Sequence, residues 1–285
     1  MLQDIENLYL GGNPKGNFKG KDKDVSKFNR VAKLQQNYQA IDSKLREFCS
    51  VKGITERKAC AFAVLMILDT SIRIGNEKSA EGYVSKAKKT EGQTLQTYAL
   101  TTLLKKHISF PDDNTMVLDF IGKKSVHQHM IVTDPFLIEL GKQFYFNNIN
   151  RSDDSNEENQ RWLTVNGKEI TKIEVNRLVK RSIGFGFSPK DFRAFRANVE
   201  AARLSKSILN QLKVNEQSNS LKKKDVGSEV KEIVVNVSKV LGNTPGIAKK
   251  AYINPEVLRN HWTKRGFTIE VISRKGKKKE IISKA

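Results

Sequence analysis

The stretch "GNTPGIAKKAYINPEV", residues 242–257, sets Tyr252 after two lysines and ahead of an Asn-Pro pair, where a helix should be breaking up. A soluble core does not call for an exposed phenol between Lys249-Lys250 and a turn. Two readings stand: an aromatic half-buried against the preceding helix, or a side chain placed there to react. Just upstream, Val230, Ile233, Val234, Val237 and Val240 recur at helical spacing, and Gly242 reads as the stop of that helix.

Working outward, helical patterns dominate. Phe28, Val31, Leu34, Tyr38, Ile41, Leu45 and Phe48 predict one amphipathic helix that stops before Gly53. Thr55 is placed to cap a second helix, whose run at 59–68 is apolar all round and therefore buried. Residues 94–107 read as a third helix, and 115–132 as a hairpin with Gly122 at the bend of "GKKS". Pro135 suits the first turn of a helix running to about Asn148, and 151–160 form a polar loop. Thr171 with Glu174 makes a capping box, and Ser188-Pro189-Lys190-Asp191 opens another helix in a similar way. Residues 213–228 are polar and read as a mobile excursion. The fold class expected is mainly α with a small β-hairpin insert.

The 285 residues carry 51 Lys and Arg against 31 Asp and Glu, a formal charge of +20. Such an excess repels other copies, which favours a monomer, and attracts polyanions, nucleic acid first. The longest apolar run has ten residues, short of the roughly 20 a membrane span requires, and no secretory leader pattern opens the chain. No membrane partner, no cofactor and no metal are expected, and the location expected is cytoplasmic, with nucleoid or viral DNA. Cys49 and Cys60 suggest no disulfide framework; His127 and His129 alternate along a strand and make a weak metal pair. Residues 1–25 are expected to be a flexible basic tail and 264–285 a basic extension.

Each basic residue that stands out has a bland reading. Arg73, just past the apolar helix, pairs structurally with Glu77, or serves a site. Arg193 lies on the first turn of a helix whose Phe192, Phe195 and Val199 face the core, with Lys190, Arg193 and Asn198 looking outward. Lys123 and Lys124 are ordinary turn lysines, or the basic tip of an arm that enters a DNA groove.

In order, "RIGNE" (73–77), "LTTLLKKHI" (100–108), "DFIGKKSV" (119–126), "SPKDFRAF" (188–195) and "LGNTPGIAKKAYINP" (241–255) resemble the signature segments of poxvirus-type and bacterial-type DNA topoisomerase IB, within the tyrosine recombinase superfamily. The resemblance implies a catalytic domain over 26–263, with Tyr252 as nucleophile. It implies Arg73, Lys123, Arg193 and Asn243 as the other catalytic residues, and Lys190, Asn198, Lys124, Lys249 and Lys250 as DNA-binding residues. It implies relaxation of duplex DNA through a 3′-phosphotyrosyl intermediate, without ATP or metal.

Two departures stand out. Poxvirus enzymes carry histidine at the Asn243 position; asparagine resembles the bacterial branch, and it donates a hydrogen bond without carrying charge. The family's small N-terminal clamp domain is not recognisable in the opening residues, so the clamp is expected either to be missing or to be supplied by a separate domain or partner. Two rivals remain. A tyrosine recombinase shares the fold, but commonly shows His-x-x-Arg where this chain has Lys190-Asp191-Phe192-Arg193. A non-catalytic DNA-binding protein fits the charge, but has no use for the set of Tyr252, Arg73, Lys123 and Arg193.

Overall fold

The computed structural model describes residues 4–19, 22–80, 96–147, 157–184, 186–214, 222–274 and 277–285. It is mainly helical with small antiparallel sheets. The chain divides into two units: residues 37–193, and residues 3–36 together with 194–285. Among the described residues no helix is long and apolar enough to cross a membrane.

The single helix expected over Phe28–Phe48 is two, α1 (Lys23–Gln36) and α2 (Tyr38–Ser50). The break falls on Asn37, at φ −112° and ψ 11°, which is also where the chain passes from one unit to the other. No glycine or proline marks it, and the apolar spacing runs on across it from Leu34 to Tyr38 and Ile41.

In the unit of residues 37–193, α3 (Glu56–Thr70) is the central element, its side chains buried continuously from Lys58 to Leu68. Thr55 accepts from the Lys58 amide and starts the helix as expected. Phe62 stacks on Phe144 at 5.3 Å between centroids and meets Trp162 edge-on at 5.4 Å. Burial of each such side chain contributes about 1.5–3 kcal/mol.

After α4 (Glu77–Ala80) come three antiparallel strands in sequence order, β1 (Ile108–Asp112), β2 (Thr115–Gly122) and β3 (Val126–Val132). The expected hairpin is β2–β3, and β1 extends it to three strands. Helix α5 (Pro135–Phe146) begins at its proline under an Asp134 cap. A two-residue ladder, β4 (Thr164–Val165) with β5 (Lys168–Glu169), leads to α6 (Lys172–Leu178), whose Thr171–Glu174 capping box is formed. Of the expected 151–160 loop only 157–160 lie within the described residues, with a short turn at Glu157–Asn159.

The third helix expected over 94–107 is not there. Its described part is extended, with short turns at Leu100–Thr102 and Lys105–His107. Its amides pair with distant carbonyls: Tyr98 with Ile121 at 2.8 Å, Leu100 with Arg73 at 2.9 Å, Thr101 with Ile74 at 2.8 Å. Those partners replace an internal helical ladder.

The second unit holds α1, the length of α7 (Pro189–Val214) from Ala194 onward, α8 (Lys223–Val240), α9 (Pro245–Ala251) and α10 (Pro255–Lys264). A last hairpin, β6 (Phe267–Arg274) and β7 (Lys277–Lys284), pairs through eight positions. Half of the stretch expected as an excursion, 213–228, is corrected, because α7 continues to Val214 and α8 has begun by Lys223; residues 215–221 lie outside the described ones. The opening residues also depart from a solvated tail. Ile5, Leu8 and Leu10 are buried, and Gln35 donates to the carbonyls of Ile5 and Leu8 at 2.7 Å each.

A closed polar chain runs through this core. His261, with no solvent exposure, bonds Ser205 on α7 through Nδ1 and Glu229 on α8 through Nε2, both at 2.8 Å. Arg265 completes the pairing of Glu229 at 3.1 Å. Burial outweighs the Glu229 carboxylate and keeps the His261 pKa below its ordinary value.

Candidate active site

Five of the ten candidate residues lie in the unit of residues 37–193 and five in the other, so each set is built separately.

Helix α3 ends at Ser71, whose left-handed backbone (φ 59°) turns the chain out while its amide still reaches the Ile67 carbonyl. Arg73 follows, half-buried, in an irregular stretch held by residues 98–101. Its carbonyl accepts from Leu100, and that of Ile74 accepts from both the amide and the hydroxyl of Thr101. Gly75, at φ 124°, brings its backbone so close that an added Cβ would lie 2.5 Å from the Thr101 hydroxyl. The same short segment reaches the hairpin, since Tyr98 donates to Ile121, two residues before Lys123. Residues 98–101 therefore tie the Arg73 stretch and the hairpin of Lys123 to one backbone.

Arg193 is not on an outward face. It is 4% exposed, and its Nε donates to the Ser71 carbonyl at 2.6 Å, two residues ahead of Arg73. The two arginines hang from the same helix end. The start of α7 is set by Asp191, which accepts from the amide and hydroxyl of Ser188 at 2.9 and 2.7 Å. Lys190, beside it, is exposed.

Lys123 and Lys124 sit exposed at the β2–β3 tip. Gly122 is not the bend: it pairs with Val126 at the end of the ladder, and the left-handed positions are Lys124 (φ 64°) and Ser125 (φ 58°). Further along the ribbon, Asp119 bonds His129 at 2.9 Å and His127 at 2.7 Å, and these imidazoles hold its carboxyl below the usual range. Among the described residues no group of three or more His, Cys, Asp and Glu is arranged to hold a metal ion.

In the other unit, α8 closes in a Schellman turn: Gly242 (φ 57°) donates to Lys239 at 3.0 Å and Asn243 to Ser238 at 2.9 Å. Pro245 restarts the chain as α9, with Lys249 and Lys250 exposed in its last turn, where cations suit the helix C-terminus. The next residue is Tyr252, which leaves the helix at φ −126° and ψ −44°.

Tyr252 is 5% exposed, not the exposed phenol its neighbours suggest. Its turn is fastened on both sides. Asn198, expected to face outward toward DNA, has no solvent exposure. It donates Nδ2 to the Tyr252 carbonyl at 2.9 Å and accepts the Asn254 amide on Oδ1 at 2.6 Å. Asn254 in turn caps α10 and donates to Leu10 at 2.8 Å, while Lys27 donates to the Ala251 carbonyl at 3.1 Å. Ser71, Thr101 and Lys27 escape a reading of the sequence. Their roles are contacts with backbone distant in sequence, which leave no local signal.

Comparison with known proteins bears on these two sets. The profile of the eukaryotic DNA topoisomerase I catalytic core matches residues 15–266. The chain is also 20% identical, over 251 residues, to the DNA topoisomerase 1B of Acanthamoeba polyphaga mimivirus, covering 86% of this chain and 67% of that one.

Proposed function

We propose, from the premise that the chain belongs to the DNA topoisomerase I catalytic-core family and is a type IB DNA topoisomerase, that it relaxes duplex DNA through Tyr252 without ATP or a metal ion. The Tyr252 Oη attacks a backbone phosphorus, and the bond from phosphorus to the 5′ oxygen breaks. A 3′-phosphotyrosyl ester and a 5′ hydroxyl result. Lys123 gives its proton to the departing 5′ oxygen, and the phenol proton passes to solvent. The ester keeps the bond energy, so the 5′ hydroxyl reseals the strand by the reverse path, after the free strand has turned about the intact one.

Charge growing on the nonbridging oxygens calls for fixed donors. Arg73 and Arg193 supply planar guanidiniums that fork to phosphate oxygens, and Asn243 adds an amide N–H. Removing one well-placed donor of this kind costs on the order of 10²–10³ in rate. Cations also favour the phenolate of a group whose unperturbed pKa is about 10. Lys190, Lys124, Lys249 and Lys250 bind neighbouring phosphates. Asn198 acts through the backbone as a positioning residue.

The observation that carries this reading is the fastening of the Tyr252 turn, because a packing aromatic needs no buried amide holding the chain on either side of it. The test is relaxation of supercoiled plasmid in EDTA without ATP, beside denaturing gels of end-labelled duplex. The parent should relax the plasmid and form a 3′-linked adduct, and Tyr252→Phe should do neither while still binding DNA. An adduct persisting in Tyr252→Phe would move the nucleophile elsewhere. Strand exchange without relaxation would favour a recombinase.

A further inference from the structure

We infer that the β6–β7 hairpin is a second DNA-binding arm, gripping the duplex away from the phosphate that is cut; the inference rests on reading duplex DNA as the substrate. The hairpin lies past residue 266, where the match to the family core stops, so that match does not account for it. From 264 to 285 the sequence holds eight Lys and Arg against two Glu. One of the two acids, Glu280, is already engaged by Arg259 at 2.8 Å.

The register concentrates that charge. Arg274 lies opposite Lys277, and Ile272 opposite Lys279. Directly opposed residues share a face, as do residues two apart along a strand, so positions 272, 274, 277 and 279 fall on one face. Three of the four are cationic. Like charges directly opposed destabilise a ribbon, and a two-stranded hairpin is marginal in water to begin with. A polyanion laid along this face offsets the repulsion.

The root, by contrast, is built to hold. Phe267 is buried edge-on against Trp262 at 5.5 Å, Ala285 donates to Gly266 at 2.9 Å, and Lys223 donates to the Ile282 carbonyl at 2.9 Å. Beyond it Val271 and Ile281 are 41% and 42% exposed, so this part of the ribbon is not covered by the protein. Eight residues per strand span roughly 27 Å at about 3.4 Å each. A two-stranded ribbon fits the major groove of B-DNA, about 12 Å wide. The occupant is the duplex phosphate backbone rather than an acidic protein. From 272 to 279 every charged residue is cationic, the whole chain carries +20, and the arm continues directly from the helix that follows the proposed nucleophile.

The test changes Arg274, Lys277, Lys278 and Lys279 to glutamine in the full chain and measures affinity for a long duplex by fluorescence anisotropy, from about 50 to 200 mM salt. The expected result is an affinity loss of about tenfold or more and a shallower salt slope, by about 0.9 for each phosphate no longer neutralised. Adduct formation on a short duplex at saturating protein should be unchanged, and the melting temperature should not fall, because the substitutions relieve repulsion. Lysine-to-arginine changes at 277–279 should bind like the parent. If the glutamine variant melts early, Lys277→Glu alone gives the same readout. Unchanged affinity and slope would overturn the arm. A slope that falls while the parent forms no adduct would keep the arm and remove the proposed chemistry instead.

Discussion

Asn198 donates its side-chain amide to the carbonyl of Tyr252 at 2.9 Å, from a position with no solvent exposure. Its oxygen takes the amide of Asn254 at 2.6 Å, so one side chain sets the backbone on both sides of Ile253. The backbone that carries the phenol is thus held by a residue that is itself shut away from solvent.

Asn198→Ala should therefore damage both fold and chemistry. It removes one hydrogen bond from a buried carbonyl and one from a buried amide, at about 1–3 kcal/mol each. A shift of about 1 Å in the proposed nucleophile should cost up to roughly 10²-fold in rate. Melting temperature and single-turnover adduct formation measure the two losses. A variant that melts early yet cleaves at the parental rate would make Asn198 structural only.

The burial of Tyr252 carries its own expectation. Nitration of the free protein, followed by peptide mapping, should modify Tyr9, which is 50% exposed, well before Tyr252, which is 5% exposed. Early nitration of Tyr252 would mean that its turn opens readily in solution.

Lys123 is exposed at the hairpin tip, so Lys123→Ala should change stability by no more than about 0.5 kcal/mol. It should nonetheless slow cleavage of ordinary DNA. A substrate with sulfur at the bridging 5′ position should restore the rate, because that leaving group departs without a proton. Equal impairment on both substrates would confine Lys123 to holding DNA.

The neighbouring Lys124 holds a left-handed backbone at φ 64°, which costs a residue with a Cβ roughly 1 kcal/mol. Lys124→Gly should raise the unfolding free energy by up to about that amount in chemical denaturation. No gain would show that the tip relaxes this strain elsewhere.

Local signals make several elements legible. Thr55, Pro135, the Thr171–Glu174 pair and Gly242 act within a turn of themselves, and each boundary forms where its chemistry requires. The break at Asn37 has no breaker residue, and the apolar spacing of 94–107 imitates a helix while its amides bond Ile121, Arg73 and Ile74. Arg193 and Asn198 read as surface residues because a charge or an amide usually stays in water. Their burial depends on a carbonyl at Ser71 and a turn at Tyr252 that no local pattern announces. The motifs nominate the candidate residues; the groups that hold those residues in place come from segments far apart in sequence.

His107 gives stability a pH dependence. Its Nδ1 accepts the Leu104 amide at 3.0 Å, which requires the neutral ring, and burial together with Lys106 lowers its pKa to about 4. The unfolded chain titrates near 6.5, so between these values it binds more protons than the native state. Stability should fall as pH drops from about 6.5 toward 4, with His261, also lowered, adding in the same direction. His107→Asn should flatten the curve of melting temperature against pH in that window without abolishing the slope. An unchanged curve would remove His107 from the balance.

Helix α9 has seven residues, with Asn243 two residues before its start and Tyr252 directly after its end. The Schellman turn pins one end and Asn198 the other, so the segment works as a gauge whose length is itself encoded. Each residue added to an α-helix advances it by about 1.5 Å and rotates the downstream chain by about 100°. One extra alanine in α9 would leave charge untouched and still swing the phenol out of phase with Asn243. Elsewhere on the surface an added residue costs only a little loop entropy.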